Sequence, residues 1–373
     1  MADTNAASGL TVAQWDDQFF TEYLSENRYA GEMGSNETSI IHVKEDLTKK
    51  KGDRVHFALV NKLTNDATTG SNVLEGNEER MDSRSHYVTV DKRRNAVRVA
   101  EIEEQYSAIP LRNAARAVLK DWSMKDTETL ITKALGDLGG IDMNATDVAA
   151  SGNQTTLDAW LVDNSDRVYF GNNAYTAMTD LSAGLATLTA GTAAENLTAA
   201  NISAMKFKAL TTAGPKIRPI RSGPNGRRYY VMYANPLAFR DLKNDSTITQ
   251  AQREVQLEME NNRLFQGGDL LWDGVIIKNI EDMYDLNTLT NLGDSGTSTV
   301  VPAFLCGAQA IGVAYAKRWR SKEQTFDYGD KQGVAIDAIY GIEKMKFGAG
   351  SADTDDPKDH GVITGFFSAS SVL

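Results

Sequence analysis

A single cysteine, Cys306, is the most informative scarcity in this 373-residue chain. One thiol excludes an intrachain disulfide and a thiolate metal cluster. It lies in the apolar run Phe304–Gly307, where a buried, inert sulfur is expected rather than a nucleophile. The four histidines, His42, His56, His86 and His360, are scattered, and none has the spacing of a zinc helix such as HExxH. No Walker loop, Rossmann glycine fingerprint or G-x-S-x-G elbow is present, so nucleotide-binding and hydrolase motifs are missing. The start, Met1–Leu10, lacks the basic-then-apolar order of a signal peptide. The longest near-apolar stretch, Val301–Ala316, contains Gln309 and is shorter than the roughly 20 residues a spanning helix needs. No membrane partner, no cofactor and a reducing compartment are expected.

Basic charge is also short. Lys plus Arg number 39 against 50 Asp plus Glu, a net charge of −11. Such a chain repels phosphate backbones, which disfavours a sequence-reading DNA binder. Acidity suits a container of DNA, and equally a merely soluble protein. The basic clusters Lys49–Lys51, Arg93-Arg94, Arg227-Arg228 and Lys317–Arg320 have little aromatic interleaving, and are expected to be solvated or ion-paired. The acidic cluster Asp353, Asp355, Asp356, Asp359 has Pro357 at a would-be calcium-ligand position and no loop glycine, so a solvated loop is expected.

What is present is 41% hydrophobic residues, enough for a buried core and two or three domains. Thr11–Tyr29 has helical periodicity with Thr11 and Gln14 at capping-box spacing and Trp15, Phe19, Phe20, Tyr23 and Leu24 along one face. That aromatic stripe either folds onto its own core or docks on a neighbour. Asp53–Leu63 and Ser85–Ile102 alternate as strands around Thr64–Arg84, a polar connection far longer than a hairpin turn. This loop either reaches a neighbour or stays a surface loop. A helix of about 27 residues is expected from Pro110, with Leu111, Ala115, Val118 and Trp122 and then Leu130, Ile131, Ala134, Leu135 and Leu138 on its apolar face, ending at Gly139-Gly140. At 1.5 Å per residue it would be a strut about 40 Å long.

Gly140–Gly191 shows little periodicity. Further helices are expected at Leu197–Leu210 (through Ile202, Met205 and Phe207), Pro236–Leu242, Thr247–Met259 and Gly307–Ala316. Strands are expected at Lys216–Ile220 and Arg227–Tyr233 around a turn at Gly223–Gly226, and at Leu270–Ile280, Ala303–Cys306, Gly333–Lys346 and Val362–Phe367. The mixture lacks regular βαβ alternation, which makes the class α+β.

Several segments, in order, resemble tailed-phage major capsid proteins with the Hong Kong 97 fold, closest to the N-four-like podophage branch. They are Leu47-Thr48-Lys49-Lys50, Leu74-Glu75-Gly76-Asn77-Glu78-Glu79, Tyr230–Pro236 with Arg240-Asp241-Leu242, and Trp272-Asp273-Gly274-Val275-Ile276-Ile277. Near the end come Gly307-Ala308-Gln309-Ala310, Phe326-Asp327-Tyr328-Gly329 and His360-Gly361-Val362-Ile363. The resemblance implies an N-terminal arm (1–51), an extended β-loop (52–104), a peripheral domain with a spine helix (105–212), an axial domain (213–312) and return strands (313–373). It implies a non-enzymatic coat subunit that assembles as hexamers and pentamers into an icosahedral virion head around double-stranded DNA, held without sequence-specific binding.

Expected partners are further copies of the chain, a separate scaffolding protein, a portal and decoration proteins, with assembly in the host bacterial cytoplasm. Trp15, Phe19, Phe20, Tyr23, Asn65, Leu74 and Glu75 are the candidate inter-subunit contacts. Lys62 and Asn65 are residue types that some relatives cross-link, but no cross-link is expected here. The wall facing DNA, the N-terminal arm apart, is expected to be acidic. An encapsulin-type compartment and a soluble enzyme are the rival readings.

Overall fold

The computed structural model describes residues 27–369 apart from 49–51, 61, 64, 80, 82, 108–109, 172–173, 190–194, 213–215, 223–226, 255–264, 267–268, 282, 284–288, 297 and 350–353. The expected helix Thr11–Tyr29 lies outside these residues except for its last three, which are not helical. The expected turn at Gly223–Gly226 and the end of the helix expected at Thr247–Met259 also fall outside them. That helix is described over Ser246–Glu254.

In chain order the main elements are β1 (Ile41–Lys44), β2 (Arg54–Val60), β3 (Ser83–Thr89), β4 (Asp91–Ala100), α1 (Leu111–Leu135), α2 (Gln154–Asp163), β5 (Val168–Phe170), α3 (Leu181–Ala186), α4 (Ala199–Thr211), β6 (Arg227–Ala234), α5 (Pro236–Lys243), β7 (Asp269–Trp272), β8 (Val275–Asn279), β9 (Ser298–Cys306), β10 (Ile311–Phe326), β11 (Lys331–Lys344) and β12 (Val362–Ser368). The chain divides into two compact units. The larger gathers Arg28–Val90, Glu128–Ala316 and Tyr340 onward, and the smaller includes Asp91–Thr127 and Lys317–Ile339.

The larger unit is organised by one sheet with the order β7-β8-β6-β9-β12-β5. Its central strands are buried along Tyr230–Ala234, Val300–Cys306 and Val362–Ser368, so both faces are dry there. Alternation sends Val231, Tyr233, Phe304, Val362 and Phe366 to one face, where Leu157, Trp160 and Leu161 of α2 and Leu181 and Leu185 of α3 cover them. Met232, Ala303, Leu305, Ile363 and Phe367 face the other way, against Ile202, Met205 and Ala209 of α4 and Phe239 and Leu242 of α5. The side-chain oxygen of Thr198 accepts from the Asn201 N–H at the start of α4, and that of Asn235 accepts from the Leu237 N–H ahead of Pro236 at the start of α5.

A buried ionic knot ties the C-terminal return to the rest of this unit. Lys344 and Asp359, 0% and 2% exposed at their side chains, pair at 2.7 Å. The Asp359 N–H donates to Asn164 Oδ1 at 2.8 Å, and Arg167 donates to the Asp359 carbonyl at 2.5 Å. These hydrogen bonds offset part of the cost of taking both charges out of water.

Several expectations are corrected. Gly140–Gly191 is not soft, since α2, β5 and α3 form there and supply core residues. Small polar residues on their outer faces dilute the periodicity. Leu270–Ile280 is two strands, because Asp273 (φ 46°) and Gly274 (φ 72°) make a tight turn between β7 and β8. Gly307–Ala316 is not a helix. Gly307–Ala310 is a turn, and Ile311–Ala314 pairs in parallel with β1 as the start of β10. The small residues that suit a helix here also suit a crowded strand, where Met345 and Phe57 leave Gly312 no room for a Cβ. Phe207, expected on the apolar face of α4, is 68% exposed.

In the smaller unit the first part of α1 lies on a sheet made by β4, the outer part of β10 and the first part of β11. Trp122 and Trp319 meet edge to face at 5.8 Å, and Arg93 forks onto Asp126 at 2.6 and 2.7 Å. Arg116 pairs with Glu323. Ala115 and Leu119 are buried, but Val118, expected on the packed face, is 54% exposed. The rest of the expected stripe holds, with Ala115, Ile131, Ala134 and Leu135 buried and Trp122 packed on Trp319; only Val118 gives way to Leu119. Accordingly Leu119→Ala should cost about 2–5 kcal/mol of stability and Val118→Ala less than about 0.5 kcal/mol. Chemical denaturation of the two variants checks this, and the reverse ranking would place the helix in the other phase.

Candidate functional site

The expected arm is a β-hairpin. β2 and β3 pair antiparallel from Arg54–Thr89 to Val60–Ser83. Its root is held by apolar packing of Val55, Phe57 and Val88 with Ala314, Met345 and Phe347. The Thr89 N–H donates to Glu343 Oε1 at 3.1 Å. Gly341 allows the close approach, since a Cβ there would stand 1.9 Å from the Thr89 carbonyl oxygen.

Beyond the root the hairpin is exposed. Of the sequence candidates, Asn65, Leu74 and Glu75 lie on its connection, and all three are exposed. The Asn65 N–H donates to Glu79 Oε2 at 2.8 Å, joining the two sides of the connection. Leu74–Asn77 is a turn, with the Asn77 N–H donating to the Leu74 carbonyl at 2.9 Å and Gly76 at φ 90°. The connection was expected to be polar, but it also carries Leu63, Val73, Leu74 and Met81, exposed by 55–69%. Polar neighbours at each of these positions hide the apolar patch in the sequence. A patch of this kind marks a surface that another molecule covers. Trp15, Phe19, Phe20 and Tyr23, the other candidates, lie outside the described residues.

The hairpin root also collects histidines whose packing the sequence did not reveal. His42 meets Phe57 at 5.7 Å, and His86 and His360 approach Phe347 at 6.3 and 5.1 Å. Burial pushes His360 down to about 4, helped by Arg167 and Arg218, and burial with Lys346 pushes His86 down to about 4. Cys306 is fully buried, as expected, and burial pushes its thiol up. Among the described residues no group of His, Cys, Asp or Glu is arranged to hold a metal ion. No helix among them is long and apolar enough to cross a membrane.

A projecting hairpin with uncovered apolar side chains offers a surface for contact with another molecule. Comparison with known proteins gives the class of protein. The phage capsid protein family model matches residues 3–369. The major capsid protein of Pseudomonas phage KPP25 is 27% identical over 354 residues, covering 90% of this chain and 89% of that one. Among solved structures, the cyanophage Pam1 capsid matches with a TM-score of 0.85 and 30% identity over the whole of both chains. The capsid of Ralstonia phage GP4 matches with a TM-score of 0.76 and 20% identity, also over both whole chains. The chain belongs to the phage capsid protein family, with the α+β, Hong Kong 97-type fold expected from its sequence. It is a structural protein of the virion, not an enzyme.

The buried histidines give a pH dependence. A folded-state pKa depressed from 6.5 to about 4 means that the unfolded chain binds the proton first. The stability this contributes is complete above pH 6.5 and is lost as pH falls toward 4, by roughly 3 kcal/mol for His360. Thermal unfolding between pH 7 and 4 should show a steep decline that His360→Asn flattens. An unchanged slope in that variant would remove His360 as the cause.

Proposed function

We propose that this chain is the major coat subunit of an icosahedral phage head, assembling as hexamers and pentamers around packaged double-stranded DNA. The observation that carries the reading is the hairpin, with a root locked by packing and a connection exposing Leu63, Val73, Leu74 and Met81. A neighbouring copy covers that connection and receives the aromatic stripe Trp15, Phe19, Phe20 and Tyr23 on its own surface. Each docked aromatic or aliphatic side chain adds about 1.5–3 kcal/mol of burial, and the contacts multiply around a closed shell. Asn65, Leu74 and Glu75 are the contacts assigned to the hairpin.

In this reading residues 1–51 form the arm, 52–104 the extended loop, 105–212 the peripheral domain, 213–312 the axial domain and 313–373 the return strands. Assembly takes place in the bacterial cytoplasm with a separate scaffolding protein, a portal and decoration proteins. Membership of the N-four-like branch is its finest part, resting on the order of the short segments that resemble it. An encapsulin-type shell is not favoured, since the family and the matched relatives are viral.

Two measurements test the assembly role. Removal of residues 1–26, which spares the buried Tyr29 and the ion pairs of Arg28 and Glu32, should abolish particles seen by electron microscopy while leaving a folded, soluble subunit; normal particles from the truncated chain refute docking of the stripe. Limited proteolysis should cut residues 62–84 in free subunits and spare them in particles. Equal rates in both states would remove the hairpin from the interface.

A further inference from the structure

Two segments of the smaller unit invert the charge of the molecule. Within a chain of net charge −11, Asp91–Thr127 and Lys317–Ile339 carry thirteen Lys and Arg against ten Asp and Glu. The cations are sorted by face. On β4 and β10, the side chains facing α1 are Arg93, Trp319 and Glu323, which meet Asp126, Trp122 and Arg116. Strand alternation therefore sends Lys92, Arg94 and Arg98, and Arg318, Arg320 and Lys322, to the opposite face. Two sets of contacts join these residues into one surface. Arg98 stacks on the Phe326 ring at 5.0 Å, and the Phe326 ring lies against Gly333 of β11. Arg320 and Lys322 both reach Asp337 of β11, at 2.7 and 2.9 Å.

All six cationic residues are exposed. β11 lies between β4 and β10 in the sheet, so the six form a cationic lattice of two rows, with two-residue steps of about 6.6 Å along each strand and two strand spacings of about 4.8 Å each between the rows. Asp337 is the one carboxylate that β4, the outer part of β10 and the first part of β11 place on this face, and it sits buried between two of the cations. The doublet Arg93-Arg94 is thus not a unit, because one member serves the helix and the other the open face.

A complementary segment exists in the same sequence. Residues 1–27 contain five carboxylates, Asp3, Asp16, Asp17, Glu22 and Glu26, and no Lys or Arg. Trp15, Phe19, Phe20 and Tyr23 are interleaved with them. Carboxylates pair with guanidinium groups, and aromatic faces accept arginine, as Phe326 already does on this surface. We infer that the open, cationic face of the β4–β10–β11 sheet is the receiving surface for the acidic, aromatic N-terminal segment of a second copy of the chain. This rests on the reading that the segment docks on a neighbour, and adds where it lands and why it selects that place. Covering the lattice also neutralises it, which keeps an otherwise acidic coat from gripping the phosphates of its DNA.

The test is a charge swap in the full-length chain. The triple variant Lys92→Glu, Arg94→Glu, Arg318→Glu should lower the yield of sedimentable particles at least tenfold, with the subunit's circular dichroism and Tm unchanged. Asp16→Lys, Asp17→Lys, Glu22→Lys should do the same, and combining the two sets should restore particles. Co-expressing the two triple variants should also give mixed particles, because each supplies the half that the other lacks. If the face variant does not fold, Lys92→Gln with Arg94→Gln replaces it, and its assembly should fail at a lower salt concentration than that of the unaltered chain.

Normal assembly of the face variant, or loss of assembly that the combined set does not rescue, overturns the inference. If removal of residues 1–26 still abolishes particles in that case, the docking reading stands and only the landing site is wrong. Rescue in the combined chain without rescue on co-expression overturns the assignment to a second copy. Micromolar binding of a 30-base-pair duplex by the unaltered protein, lost in the face variant, would show that the lattice serves phosphodiesters instead.

Discussion

Everything in the larger unit depends on a sheet that touches water on neither face. Tyr230–Ala234, Phe304–Cys306 and Val362–Phe367 pair with one another and are buried throughout. A strand apolar on both sides needs a cover on both sides, so the helices are not decoration: α2 and α3 close one face, α4 and α5 the other. The same demand explains why charged groups inside are paired. Arg167, Lys344 and Asp359 are nearly inaccessible and hold one another, with Asn164, in a mutual arrangement. In a dry interior, removing any one of them strands the others.

The parts proposed to make contacts follow the opposite rule. The hairpin and the smaller unit's open sheet face leave side chains exposed that do little for their own fold. The hairpin can do so because its cost is confined to the root, where six apolar residues and the close approach at Gly341 fix its direction. The smaller unit can do so because ion pairs and the Trp122–Trp319 contact fasten its helix to its sheet. A coat subunit is thereby stable enough to fold alone and incomplete enough to seek neighbours.

How much of this was legible depended on the kind of constraint. The α+β class, the hairpin strands and the long helix were readable, because alternation and helical periodicity are local. One position of that helix was misread, since Val118 and Leu119 are equally apolar and only the position of the sheet chooses between them. β10 was hidden by its composition: Gly307–Ala316 has helical small residues, and only pairing with β1 makes its second half a strand. The buried ion pair could not be anticipated, because Lys344 and Asp359 look like any surface charges until the fold brings them together. Among the candidate contacts, Asn65, Leu74 and Glu75 were placed on an exposed connection, and their apolar neighbours Val73 and Met81 were overlooked among polar residues. The histidines around Phe347 were read as scattered, which in sequence they are.

Cys306 has a consequence for the particle's life outside the cell. A shell repeats each residue type of its subunit in every copy, so an exposed thiol would become a dense array of reactive sulfurs. Once outside a reducing compartment, such an array would be open to oxidation by air, metals and peroxide. Here the only thiol faces the sealed side of β9 against Tyr233 and its neighbours, with ionisation suppressed by burial. The coat therefore meets oxidising surroundings without thiol chemistry, because packing keeps its one thiol out of reach.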